Sequence, residues 1–189
     1  MKTSLILHGW WGDSKNSWFP WLSESLNSRI HDIYIPNLPS TNNPILEEQL
    51  DYINIYSSDF KDWWNIIGHS LWCKLALKFV EENNIKNSNL VLVASSYPWL
   101  ADDLWEEIYW DSYNYLKLYF DEELDFEKLN SLNNKYIFFW SDNDVIDIAK
   151  AKRYFKKLKW VKFVEFKDKW HFNSSAGVLE LPEILEYVE

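Results

Sequence analysis

The residues with the strongest chemical signal lie in Ile66-Ile67-Gly68-His69-Ser70-Leu71-Trp72-Cys73-Lys74-Leu75-Ala76-Leu77. A serine hydroxyl is a poor nucleophile alone. It needs a base to take its proton and a carboxylate to hold that base in one tautomer. Ser70 sits between the apolar run Trp64-Asn65-Ile66-Ile67 and an amphipathic run with apolar residues at 71, 75, 76, 79 and 80. The first reads as a buried strand and the second as a helix. Gly-His-Ser-Leu leaves no room for a loop between them. Such a sharp strand-to-helix turn lifts the hydroxyl clear and sets the free N–H groups of a helix N-terminus beside it, an arrangement suited to acyl transfer.

A base and an acid must then follow in the chain, each on a loop at the carboxyl end of a strand. Asp144 follows the apolar strand Tyr136-Ile137-Phe138-Phe139, and His171 follows the alternating strand Lys162-Phe163-Val164-Glu165-Phe166. Asp142 and Asp147 compete with Asp144 as the acid. Capping a helix is the plain alternative role for Ser70 and for Asp144. Of the other histidines, His8 and His69 sit inside motifs and His31 precedes a strand; only His171 has the right order and loop. Two backbone N–H donors must hold the oxyanion. Leu71 supplies one, and Trp10 or Trp11, on the loop after the first strand, the other. Cys73, one turn into the helix, reads as packing.

These side chains need a sheet to bring them together. Thr3–Leu7 and Asp32–Ile35 read as the first two strands, 64–67 as the third and Asn89–Ala94 as a doubly covered fourth. The two strands named above complete six. Helices are expected to open at Trp18-Phe19-Pro20-Trp21-Leu22 and to run over 44–57, from the serine to about 84, over 147–158 and from Pro182. Strands alternating with helices imply a mainly parallel sheet covered on both faces, so strand ends along one edge converge. Residues 97–130, aromatic and acidic, lack a strand period and read as short helices forming a lid-like insertion in a single domain, 1–189.

Composition narrows the function classes. A net charge of −10 argues against nucleic acid or an anionic membrane as partner. No apolar run is long enough to span a bilayer. The single cysteine and the absence of a signal-peptide layout suggest a cytoplasmic protein. One count is anomalous. The chain has 4 Gly and 13 Trp, where average usage gives roughly 13 Gly.

The ordered motifs resemble the small serine hydrolases of the retinoblastoma-binding protein nine type. These motifs are His8-Gly9-Trp10-Trp11-Gly12, Pro36-Asn37-Leu38-Pro39, Gly68-His69-Ser70-Leu71, Ser141-Asp142-Asn143-Asp144, His171-Phe172-Asn173 and Glu180-Leu181-Pro182-Glu183. The resemblance implies a three-layer α/β-hydrolase fold, a triad at Ser70, Asp144 and His171, small acyl esters as substrates, and neither cofactor nor metal. Two alternatives keep the same fold. One is a catalytically impaired member that binds a peptide or protein partner; the other is a thioesterase or amidase.

The departures from that pattern bear on the anomaly. Glycine is expected by resemblance where this chain has Trp72, Trp140, Trp170 and Trp11, and proline where it has Val145. One hypothesis joins these facts: the gene comes from a lineage that reads UGA as glycine, and this chain carries tryptophan at those codons. UGG at codons 72, 140 and 170 would refute it. Trp99, Trp105, Trp110 and Trp160 are further suspects. Two structural consequences are expected: overpacking at Trp72, costing about 1–3 kcal/mol, and φ > 0 strain at Trp140 and Trp170.

Overall fold

The computed structural model describes residues 2–27, 31–59, 63–104 and 110–188. The suspect Trp105 lies outside them. Six strands form one sheet: β1 (Lys2–Leu7), β2 (His31–Tyr34), β3 (Asn65–His69), β4 (Asn89–Val93), β5 (Lys135–Ser141) and β6 (Val161–Phe166). The order is β2-β1-β3-β4-β5-β6, and every pairing is parallel. β3 and β5 run one or two residues beyond the runs read from hydropathy, because Gly68, His69 and Ser141 continue the ladder although none is strongly apolar.

The strands feed helices α1 (Phe19–Asn27), α2 (Leu46–Asn54), α3 (Trp72–Asn83), α4 (Leu100–Asp103), α5 (Trp110–Asp121), α6 (Phe126–Ser131), α7 (Ile148–Phe155) and α8 (Leu185–Val188). Central strands are apolar on both faces because helices cover both. Leu5, Leu7, Ile66, Leu90, Leu92, Tyr136, Phe138 and Trp140 enter one core with α2, α3 and α7. Their sequence neighbours Ile6, Ile67, Val91, Val93, Ile137 and Phe139 enter the other, with α1 and α8. This is the period-two alternation of a pleated strand with both sides buried. The segment 97–130 contributes α4 to α6. Lys74, on α3, donates to the carbonyls of Tyr119 and Glu122 and so fastens the end of α5 to the helix behind the serine.

One tryptophan departs from expectation. Trp140 lies inside β5, without positive φ, stacked on Phe138 with ring centroids 5.1 Å apart; an extended strand position fits an indole without backbone strain. Trp72 is fully buried on α3, 5.6 Å from the His8 ring. Its indole N–H has no hydrogen-bond partner among the described residues, whereas buried Trp N–H groups usually find one.

Candidate active site

Ser70 stands between β3 and α3 with φ 57°. A left-handed serine is strained, and its neighbours hold it there. Its N–H donates to Val93 O at 2.8 Å, and its carbonyl receives Cys73 N–H at 3.2 Å. Gly68 makes so tight a turn possible. A Cβ there would lie 2.9 Å from the Cys73 Cα and 3.0 Å from the Trp72 carbonyl oxygen. Ser70 is therefore the turn residue itself, and α3 begins only at Trp72.

Asp144 and His171 arrive from the ends of β5 and β6. The His171 Nε2 lies 2.8 Å from the Ser70 Oγ, and its Nδ1 lies 2.8 Å from the Asp144 Oδ1. The Asp144 side chain is fully buried and that of His171 is partly exposed. Residues separated by about a hundred positions thus form one hydrogen-bonded line. Asp144 Oδ1 also accepts the Ile146 N–H at 3.1 Å, while its Oδ2 is buried without a partner among the described residues.

The competing carboxylates have other tasks. Asp147 caps α7, accepting the Lys150 N–H at 3.0 Å, and Asp142 accepts the Asp168 N–H at 3.0 Å. The second of these bonds belongs to a zipper that sequence reasoning missed. Asn143 Oδ1 accepts the Trp170 N–H, and Ser141 Oγ accepts the Lys169 N–H, each at 2.8 Å. The loop after β5 thereby holds the loop that carries His171. A run of short polar side chains directly after a strand, Ser-Asp-Asn-Asp, was the available signal, since such residues bond to nearby backbone.

His69 is the other residue whose task was not legible. Its Nε2–H donates to the His171 carbonyl at 2.8 Å, and its ring packs edge-on against Trp18 and Phe19. Trp18 in turn donates its indole N–H to Phe172 O at 2.9 Å. The base is therefore fixed from both sides. Burial, then the neighbouring His171, lowers the His69 pKa from 6.5 to about 3. Burial likewise lowers that of His8, whose Nε2 accepts the Leu38 N–H at 3.2 Å.

A pH dependence of stability follows. The folded protein keeps His69 neutral, whereas the unfolded chain takes up a proton near pH 6.5, so the stabilisation is complete above pH 6.5 and lost as pH falls toward 3. Each such histidine contributes a slope of roughly 1 kcal/mol per pH unit in that window. Urea unfolding of wild type and His69→Gln between pH 7.5 and 4.5 checks it. The wild-type curve should fall more steeply, and parallel curves would refute the assignment.

Beside Ser70 lies a pocket of about 390 Å³ whose lining includes Gly9, Trp10, Trp11, Phe19, Trp170 and His171. The described residues of 97–130 are not part of that lining. Of the two candidate second donors, the Trp11 N–H is engaged by Thr41 O at 3.3 Å, which favours Trp10. The Leu71 N–H stands at the N-cap of α3, ahead of the first intrahelical bonds. Cys73 is buried, which pushes its thiol pKa up, and its Sγ bonds Val93 O; it packs.

Comparison with known proteins agrees with this architecture. A sequence model of the serine hydrolase family matches residues 4–189. YdeN of Bacillus subtilis (strain 168) is 24% identical over 190 residues, covering 98% of this chain and 93% of its own length. The crystal structure of the B. subtilis ydeN gene product superposes with a TM-score of 0.81 at 23% identity, covering 98% of this chain and 96% of that one. Est1E from Butyrivibrio proteoclasticus, solved with ferulic acid bound, gives a TM-score of 0.69 at 14% identity, covering 99% of this chain and 89% of that one. The fold is the three-layer α/β-hydrolase fold, as expected from the motifs.

Proposed function

Because the chain belongs to the serine hydrolase family, we propose that it hydrolyses small acyl esters through Ser70, His171 and Asp144. The observation that carries this reading is the unbroken line from the Ser70 Oγ through the His171 imidazole to the buried Asp144 carboxylate. In the proposed reaction the Ser70 Oγ attacks the acyl carbon and its proton passes to the His171 Nε2. Asp144 holds Nδ1–H and stabilises the imidazolium. The Leu71 and Trp10 N–H groups receive the oxyanion. His171 then protonates the leaving alcohol, leaving an acyl-serine. Water, deprotonated by His171, attacks that ester and releases the acid, which restores the serine.

The same residues could serve thioesters or amides, and a substrate panel ranks these leaving groups. Within the family, the ordered motifs favour the retinoblastoma-binding protein nine type, and we read residues 1–189 as a single domain with 97–130 as its helical insertion. Neither cofactor nor metal takes part in the proposed steps, and the substrate is a small molecule. The net charge of −10 disfavours nucleic acid.

A fluorophosphonate probe tests the proposal. It phosphonylates only a serine activated by its base. Stoichiometric labelling is expected, with the added mass on the peptide that contains Ser70. Folded protein that stays unlabelled would overturn the reading and favour the alternative of an inactive, partner-binding member of the fold.

A further inference from the structure

The described tryptophans fall into distinct structural groups, and one group occupies backbone that suits glycine. Trp11, Trp63, Trp160 and Trp170 have φ of 54°, 74°, 54° and 42°. A left-handed conformation is uncommon outside glycine and is an outlier for a bulky residue. The Asx residues that share this conformation here, Asn84, Asn87, Asn133 and Asp168, carry short polar side chains that can bond locally, which an indole cannot do. Burial does not explain the four either. They are 60%, 70%, 70% and 39% exposed. By contrast, Trp18 and Trp64 have ordinary φ and are buried, and Trp18 bonds Phe172 O through its indole. Only 4 glycines occur in 189 residues, and Gly177 alone among them has positive φ. Among the described residues thirteen non-glycine positions are left-handed, and tryptophan stands at four of them.

We infer that positions 11, 63, 160 and 170 are glycine positions of this protein, filled by tryptophan because UGA codons that its lineage reads as glycine have been translated as tryptophan. Two of the four have a consequence for chemistry. Trp11 and Trp170 both line the pocket beside Ser70, and Trp11 stacks on Trp10 with centroids 4.5 Å apart. Glycine at both would widen the mouth of the pocket and admit a bulkier acyl or aryl group. That consequence rests on the proposed hydrolase reading; the codon assignment does not.

Two measurements test the assignment without any activity. In the gene, codons 11, 63, 160 and 170 are expected to be UGA, and UGG at these positions overturns the inference. In the protein, Trp→Gly at all four positions should raise the unfolding midpoint by about 5 °C or more. Relief of left-handed strain exceeds the added flexibility of the unfolded chain, and Trp11, Trp63 and Trp160, being mostly exposed, lose little burial. The matching set of Trp→Ala changes keeps a Cβ in the strained region and should gain less. A glycine set that melts no higher than the alanine set overturns the inference. Trp18→Gly, at ordinary φ and in the core, should melt lower and shows that glycine is not stabilising everywhere. For the pocket, Trp11→Gly with Trp170→Gly should raise the rate ratio of an aryl ester to an acetate by about tenfold. The Trp63→Gly, Trp160→Gly pair should leave that ratio unchanged. An unchanged ratio in the rim pair, with the melting result intact, overturns the access consequence alone.

Discussion

Ser70→Ala is expected to lower kcat/KM for a small ester by on the order of 10⁴-fold or more, about 5.5 kcal/mol of transition-state stabilisation. The change removes the atom that forms the acyl-enzyme while leaving the turn, pocket and backbone donors in place. Alanine at φ 57° bears the same left-handed strain as serine, so the loss should appear in kcat and not in stability. His171→Ala should cost a similar factor. The double substitution should cost little more than either alone, because serine and base work as one unit. Steady-state kinetics with a short-chain ester, alongside circular dichroism to confirm folding, checks both. A variant that retains more than a tenth of wild-type turnover would show that hydrolysis uses another nucleophile.

Asp144→Asn is expected to lower kcat by roughly 10³–10⁴-fold with little change in KM. Asparagine has the size of aspartate but lacks its charge. It no longer stabilises the imidazolium, and its amide can turn an N–H toward the His171 Nδ1 and enforce the wrong tautomer. The neighbouring acids make sharp controls. Asp147→Asn keeps a good helix cap, and Asp142→Asn keeps the oxygen that accepts the Asp168 N–H. Both should hold kcat within a few-fold of wild type. Were Asp142→Asn or Asp147→Asn the damaging change, the acid assigned here would be the wrong one.

These predictions rest on connections that span the sheet. The loop after β5 and the loop after β6 are adjacent because Ser141 pairs with Phe166 in the parallel ladder. The zipper from Ser141, Asp142 and Asn143 to Asp168, Lys169 and Trp170 continues that pairing past the strand ends. His69, next to the nucleophile, then reaches the carbonyl of the base. Each of the three triad residues is thus held by backbone contacts on more than one side, which limits the motion that proton transfer must overcome.

Much of this was legible along the chain. Short apolar runs, the last of them alternating, marked six strands, the amphipathic run after Ser70 marked α3, and Gly68-His69-Ser70-Leu71 marked the turn between them, because local sterics and hydrophobic periodicity act over a few residues. The order of Ser70, Asp144 and His171 could be read from their positions after the third, fifth and sixth strands. Other features required long-range packing. Asp144 and not Asp142 or Asp147 faces His171 because of how the chain turns after β5, and no local pattern encodes that choice among three nearby carboxylates. The engagement of Trp11 by Thr41, the strut from His69 and the ordinary backbone of Trp140, paired with Glu165, also depend on partners far away in sequence. Periodicity reports which face of an element is buried, whereas the direction of a side chain at a loop is decided by whichever distant atoms the fold brings against it.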